Sequence, residues 1–385
     1  MKIIIRQIQT STFPVFSFNL VFVILLVLLP PGCQPVIALG KNPKGDDLKK
    51  IETLPNYQNG QFRNLDTTSV QPVISNNNNR SSPRWTRMLK YLLSKPEITR
   101  PSKRLPSVYT DLKNTIYEKP TVVWFGHSSV LIKTSKGNIL IDPNFSGYAG
   151  PFSFLMHSFE GTNAYGVDDM PAIDVLVISH DHYDHLDYQT IKKLRKKVKR
   201  VIVPIGVGSH FRKWGYDPAV ITELNWNNSF RINDSLNITA TPAHHRSNRT
   251  FEQRKTLWAS YVIESGQYKI YFSGDTGYSK HFSLIGEQYG PFDLALLECG
   301  QYNKNWSQSH MHPSQTAKAA IDLKAAMILP IHWAKFAESD HPWNEPPELL
   351  LANADSLRLP VVIPYIGQPY TIGSKVSLTK WWESY

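Results

Sequence analysis

Cysteine is nearly absent from this 385-residue chain: there are two, Cys33 and Cys299. Cys33 lies in the N-terminal leader, so the folded part holds one thiol. That excludes a disulfide framework and zinc sites of the cysteine-rich kind. Acidic residues are the scarcer charge, 31 Asp and Glu against 42 Lys and Arg, for a formal charge of +11. Part of the excess sits in residues 191–200, seven of which are Lys or Arg. Ile191, Leu194 and Val198 form the apolar face of a helix predicted over 189–198. A solvated helix face is the favoured reading of this run, and an anionic membrane surface is the functional one. Nucleic acid is not expected as a partner, because no aromatic residues interleave the run to stack on bases. The composition, 41% hydrophobic and 19% charged, is that of a globular protein.

Long apolar runs are lacking too. Residues 20–29 are unbroken apolar sequence, shorter than the roughly 20 residues a spanning helix needs. With Lys2 and Arg6 ahead of it, the run suits the apolar region of an export signal. Residues 1–40 are therefore expected to be a signal peptide or membrane leader, and the protein to reside in the cell envelope. Leu29-Pro30-Pro31-Gly32-Cys33 resembles a lipoprotein lipid-attachment box. Cleavage after the Ala38-Leu39-Gly40 stretch is the rival, and an uncleaved anchor a third reading. Residues 41–80, ending in four asparagines at 76–79, show few periodic apolar positions and are expected to be a flexible tether. Residues 84–93 have helical spacing of Trp85, Met88, Leu89 and Leu92.

One hydrolase domain is expected over 81–385. From Thr121 onward short β-branched runs recur, at 121–125, 130–133, 138–141, 175–179 and 201–204. They continue at 236–241, 261–264, 269–273, 294–297, 327–331 and 361–363, with helical patterns at 189–198 and 313–323. Strands first and helices interleaved later point to an α/β fold with sheets covered by helices.

Histidine is missing before His127, the first of thirteen. Several fall where apolar strands end: His180, the pair His244-His245 and His332, with Asp275 after a fourth strand. Rigid strand ends converging on one rim hold ligands more tightly than loops can. His180 and His182 leave their strand on the same side, since side chains alternate with period 2, and so can grip one ion. Asp184 and His185 follow a turn and face a second position. Imidazole and carboxylate suit zinc, and also iron or manganese. Asp142 in Ile141-Asp142-Pro143 reads first as a turn residue, and second as support for a ligand. His127 reads as packed or supporting rather than as a direct ligand.

His180-x-His182-x-Asp184-His185 resembles the metallo-β-lactamase superfamily, whose fold is a four-layer αβ/βα sandwich. Further segments narrow the likeness to the N-acylphosphatidylethanolamine-hydrolysing phospholipase D family and its bacterial relatives. Among them are Gly126-His127-Ser128, Gly274-Asp275-Thr276-Gly277-Tyr278, His310-Met311-His312-Pro313 and Ile331-His332-Trp333, in family order. The resemblance covers roughly residues 57 to 350. It implies two Zn2+ ions: His180, His182 and His245 on one, Asp184, His185 and His332 on the other, with Asp275 bridging. A hydroxide between the ions would attack phosphorus, Asp184 and Asp275 would orient it, and His310 would line the phosphate position. The family places a large aromatic after the histidine matching His245, whereas here Arg246 follows, and His244 beside it competes for the ligand role. The implied function is phosphodiester hydrolysis of N-acylphosphatidylethanolamine-like glycerophospholipids, with a phospholipid substrate and an anionic membrane surface as partners. The rival readings are a hydrolase of lactones, β-lactams or other small esters, and a non-catalytic envelope protein that keeps metal for stability. The sequence sets no oligomeric state, and a dimer is compatible with it.

Overall fold

The computed structural model describes residues 34–66, 96–250, 252–375 and 378–385. The expected apolar leader run, Cys33 and the helix at 84–93 lie outside these residues. Among them no helix is long and apolar enough to cross a membrane.

A short helix, α1 (Gln34–Ala38), is followed by α2 (Asp46–Glu52) and a hairpin of β1 (Tyr57–Gln58) and β2 (Gln61–Phe62). Residues 41–66 are thus not the tether expected there. Ile51, Tyr57 and Phe62 are buried with Ala243, Leu257 and Trp258. Three apolar residues scattered over a dozen positions carry no helical or strand period, yet each meets a partner some 200 residues away. The apolar burial that folds this segment is supplied by the rest of the chain.

The first sheet contains β3 (Thr121–Trp124), β4 (Val130–Thr134), β5 (Gly137–Ile141), β6 (Ile173–Val177), β7 (Val198–Pro204) and β8 (Ile221–Leu224). The second contains β9 (Ser229–Asn233), β10 (Leu236–Thr241), β11 (Ser260–Ser265), β12 (Tyr268–Phe272), β13 (Leu294–Glu298) and β14 (Ile328–Ile331). A last strand, β15 (Pro369–Thr371), returns to the first sheet beside β3. In both sheets the pairing is antiparallel at one end and parallel at the other, β5 to β8 and β12 to β14.

Alternation along β3 and β4 assigns the layers. Val122, Trp124, Val130 and Ile132 enter the core that also holds Ile238, Val262 and Leu296 of the second sheet. Val123, Phe125 and Leu131 face the other way, against Ile191 and Leu194 of α3 (Tyr188–Leu194) and Phe211 of α4 (Gly208–Lys213). The second sheet is covered by α5 (His281–Gln288) and α6 (Pro313–Asp322), whose Phe282, Ala317 and Ala320 are buried, with α7 (Glu345–Ser356) packed on α6. Helix, sheet, sheet, helix is the expected four-layer αβ/βα sandwich.

Two expected elements change. The helix at 189–198 ends at Leu194, because Val198 already begins β7 and pairs with Ile173. Residues 361–363 make only a bridge from Val361 to Ile328. Pro360 and Pro364 flank them and lack the N–H groups that a ladder requires.

Candidate metal centre

The parallel strands end on a common rim, where open α/β sheets usually bind ligands. Beyond β6 the chain runs Ser179-His180-Asp181-His182-Tyr183-Asp184-His185, then starts α3. Asp187 caps that helix, accepting from the N–H of Gln189 at 3.1 Å, and also accepts from the Ser146 N–H at 2.9 Å. The segment is held between a strand end and a capped helix start. Arg249, buried in the loop after β10, fixes its middle. Its Nη1 donates to the carbonyls of Asp181 (3.0 Å) and Leu186 (2.7 Å), and its guanidinium lies 4.3 Å from the Tyr183 ring centre. Asp181 points away from the rim, taking the Asn248 N–H at 3.1 Å and the Thr256 hydroxyl at 2.8 Å.

Three other strands deliver their residues to the same place: β10 brings His245, β12 brings Asp275 and β14 brings His332. Gly274 makes the approach of Asp275 possible. Its φ is +56°, and a Cβ there would stand 2.8 Å from Ser179 Cβ and 3.0 Å from the Ala259 carbonyl. His127, Asp142 and His332 also have left-handed backbones, at φ 51°, 42° and 67°. Each such residue costs on the order of 1 kcal/mol, and three of them border one centre.

The side chains sort into two groups whose donor atoms all lie within 4.8 Å of one another: His180, His182, His245 and Asp275, and then His127, Asp184, His185 and His332. Asp275 joins them. Its Oδ2 is 3.7 Å from both His180 and His245, and its Oδ1 is 3.1 Å from His185 and 3.2 Å from His332. A third overlapping group adds Glu298 and His310. His185 Nε2 lies 2.8 Å from Asp184 Oδ2 but has no hydrogen bond of good geometry, and the same is true of Asp275 Oδ1 and His332 Nε2. Donor atoms this close, buried and without hydrogen bonds are a set that a cation would satisfy. The residues fit a metal.

Protonation agrees. Burial lowers His182 and His127 to about 4 and pulls His180, His245 and His332 well below the ordinary histidine value. These rings are neutral at pH 7, the form that binds metal. His185 differs: burial works against its charge, but Asp184 and Asp275 outweigh that and hold it well above the ordinary value. Burial lifts Asp275 to about 6.

The surrounding contacts settle several alternatives. His245, not His244, joins the first group, with Nε2 3.3 Å from His182 Nδ1. His244 faces the neighbouring cavity. Asp142 is more than a turn residue: its carboxylate takes the Ser179 N–H at 2.7 Å and lies 2.8 Å from His185 Nδ1. His127, expected to support rather than to bind, lies within the second donor group, with Nε2 2.8 Å from Asp184 Oδ2. His310 lies with its Nδ1 3.0 Å from Glu298 Oε2, and its ring is stacked on His332. Glu298 and Arg249 escape sequence reasoning. Glu298 ends an apolar strand, a faint signal; Arg249 sits in a polar loop with none.

Comparison with known proteins places this geometry. Residues 137–333 match the model of the family described as Beta-lactamase superfamily domain. The chain belongs to the metallo-β-lactamase superfamily. An uncharacterised protein of Mycobacterium tuberculosis is 36% identical over 336 residues, covering 86% of this chain and 88% of that one. The mitochondrial N-acyl-phosphatidylethanolamine-hydrolyzing phospholipase D of Saccharomyces cerevisiae is 34% identical over 242 residues, 59% of this chain and 50% of its own length. A metal-dependent hydrolase of Pyrobaculum aerophilum is 27% identical over 216 residues, covering 56% of this chain and 84% of that one. The solved structure of Igni18, a metallo hydrolase of Ignicoccus hospitalis, superposes with TM-score 0.53 at 20% identity, over 67% of this chain and all of that one. CmlA of Streptomyces venezuelae, a diiron β-hydroxylase, superposes with TM-score 0.52 at 18% identity, over 67% of this chain and 55% of that one. This protein is a metal-dependent hydrolase with the superfamily's fold.

Proposed function

We propose that this protein is a two-zinc phosphodiesterase of the phospholipase D type, hydrolysing N-acylphosphatidylethanolamine-like glycerophospholipids. The observation that carries this reading is the pair of donor groups joined by Asp275. The likeness to the yeast enzyme named for that substrate supports it. His180, His182 and His245 would hold one ion, and Asp184, His185 and His332 the other, with Asp275 shared. Two such ions, when bound, supply Lewis acidity toward a phosphoryl oxygen and a water of lowered pKa.

The chain's own residues prepare that chemistry. Asp142 occupies His185 Nδ1, leaving Nε2 for the centre, and His127 occupies one oxygen of Asp184. Burial raises Glu298 well above the usual carboxylate range, which favours its protonated form. One oxygen accepts the Met311 N–H; the other, in the protonated form, donates to His310 Nδ1 at 3.0 Å. Burial also keeps His310 neutral. Its Nε2 therefore carries the hydrogen, and can donate to a phosphate oxygen or to the leaving oxygen. Lys192, Lys193, Lys196 and Lys199 are exposed in and beyond α3. That surface suits anionic headgroups, in keeping with an enzyme exported to the cell envelope.

Zinc-loaded protein is expected to release phosphatidic acid from N-acylphosphatidylethanolamine in mixed micelles, and to lose this activity in H182A and in chelator. Turnover of a lactone panel with none of the lipid would overturn the substrate class. Fewer than one metal per chain, with no turnover of any ester, would overturn the catalytic reading.

A further inference from the structure

We propose that the cavity beside His245 is a second anion-binding subsite, one that holds a phosphate monoester or carboxylate carried by the substrate next to the ester being cleaved. This rests on the phosphodiesterase reading above and extends it to diesters that carry a second anion, which N-acylphosphatidylethanolamine does not.

The cavity has a volume of about 480 Å3 and is lined by four cations, Arg63, Arg246, Arg254 and Lys304. They come from three stretches of chain: the turn after β2, the loop between β10 and β11, and the loop after β13. His245 shares the wall, so an occupant lies directly against the metal centre. Some cations elsewhere are neutralised: Arg212 pairs with Asp47 and Glu223, and Lys255, next to Arg254, pairs with Glu252. Among the described residues, no ion pair includes any of the four cavity cations. Their mutual repulsion registers on Arg254, whose pKa falls through burial first and then through the charges of Arg246 and Arg63. Like charges gathered in a concave, partly desolvated space concentrate positive potential, and an anion relieves it.

The lining also says which part of a substrate enters. Among the described residues Trp306 is its only large hydrocarbon surface, and a lining of this kind does not suit acyl chains. It suits a polar headgroup or a soluble alcohol moiety. Arginine forks bind phosphate or carboxylate bidentately, and a cavity of this size takes a phosphorylated sugar or polyol. One phosphate on the metals and another on the arginines are two separate demands on the substrate.

The test compares ester pairs that differ by one phosphate monoester. Phosphatidylinositol 4-phosphate and phosphatidylinositol in the same micelles form the lipid arm. Thymidine 5′-(p-nitrophenyl phosphate), with and without a 3′-phosphate, forms the soluble arm. The extra phosphate is expected to raise kcat/KM by about tenfold or more in at least one arm. The arm showing it identifies whether the anion arrives on a lipid headgroup or on a soluble diester. In R246Q/R254Q that ratio is expected to fall toward one, while R246K/R254K keeps much of it; the ratio cancels any general loss of activity. An extra phosphate without effect in both arms, or a preference surviving in R246Q/R254Q, overturns the subsite. Binding separates this failure from failure of the phosphodiesterase reading. Inorganic phosphate titrated calorimetrically into zinc-loaded protein should occupy two sites, one of them lost in R246Q/R254Q. The same single site in both proteins overturns the proposal whether or not any ester is turned over.

Discussion

Replacing Asp142 by asparagine perturbs the centre without changing the size of any side chain in it. The carboxylate is fully buried and takes three donors: the Ser179 N–H at 2.7 Å, the Ser179 hydroxyl at 2.5 Å and the His185 ring Nδ1–H at 2.8 Å. An asparagine oxygen can still serve the Ser179 N–H, and the hydroxyl can rotate to accept from the amide. His185 has no such freedom. With an NH2 group facing Nδ1, its hydrogen must move to Nε2, the atom placed 3.1 Å from Asp275 Oδ1, which then has no lone pair for an ion. Loss of such an outer contact weakens metal binding about 10–100-fold, or about 1.4–2.7 kcal/mol. The loss should fall on the ion proposed to be held by Asp184, His185 and His332. Competition with a chromophoric chelator should therefore show D142N releasing one zinc early and retaining the other, with an unchanged far-ultraviolet spectrum. A second-ion Kd within twofold of the native value would refute the reasoning. Equal weakening of both ions with a large drop in Tm would mean that Asp142 holds the fold rather than the ligand.

Other expectations are equally concrete. In E298Q the amide can still donate to His310 Nδ1 and accept from the Met311 N–H, so phosphodiester turnover should stay within about threefold, whereas E298A should lose about 10²-fold or more in kcat; the opposite order would show that Glu298 acts as an anion. Lys335 is buried, with Nζ donating to the Asn144 carbonyl at 2.7 Å, and burial draws it from 10.5 down to about 7. The unfolded chain thus binds one more proton between those values, so stability should rise with pH across that window, by up to about 1.4 kcal/mol per unit. Urea melts at pH 7.5 and 9.5 should show this slope in the native protein and not in K335M, and equal slopes would exclude the effect. A chain starting at Lys41, as cleavage after Gly40 would leave it, lacks the Ala38 carbonyl that accepts from Arg249 Nε (2.9 Å) and Nη2 (2.8 Å). Buried donors left without partners cost about 1–3 kcal/mol, so this truncation should melt earlier than a chain starting at Gln34, and identical melting would show that Arg249 does not need α1.

The chain's local patterns were enough to place the strands that carry the centre. Apolar β-branched runs ending in His180, Asp275 and His332 announce buried strands with polar tips, because a central strand's side chains all meet hydrocarbon until it leaves the sheet. The period of 2 separating His180 from His182, and the resemblance built on that motif, reached the seven expected metal-binding residues, which the structure brings together. Patterns of this kind cannot express what depends on distance across the fold. Arg63, Arg246, Arg254 and Lys304 are separated by up to 241 positions and become one cavity only when the loops meet. Tyr57 and Phe62 look like part of a tether until Trp258 is set against them. Asp142 stays an ordinary turn residue until His185 arrives at 2.8 Å, and the choice between His244 and His245 waits on which ring the turn after β10 aims at His182. Strand and turn propensities act over a few residues, so they are written in the sequence itself. Charge convergence and ligand support are properties of the spaces between elements, and only the packed structure decides them.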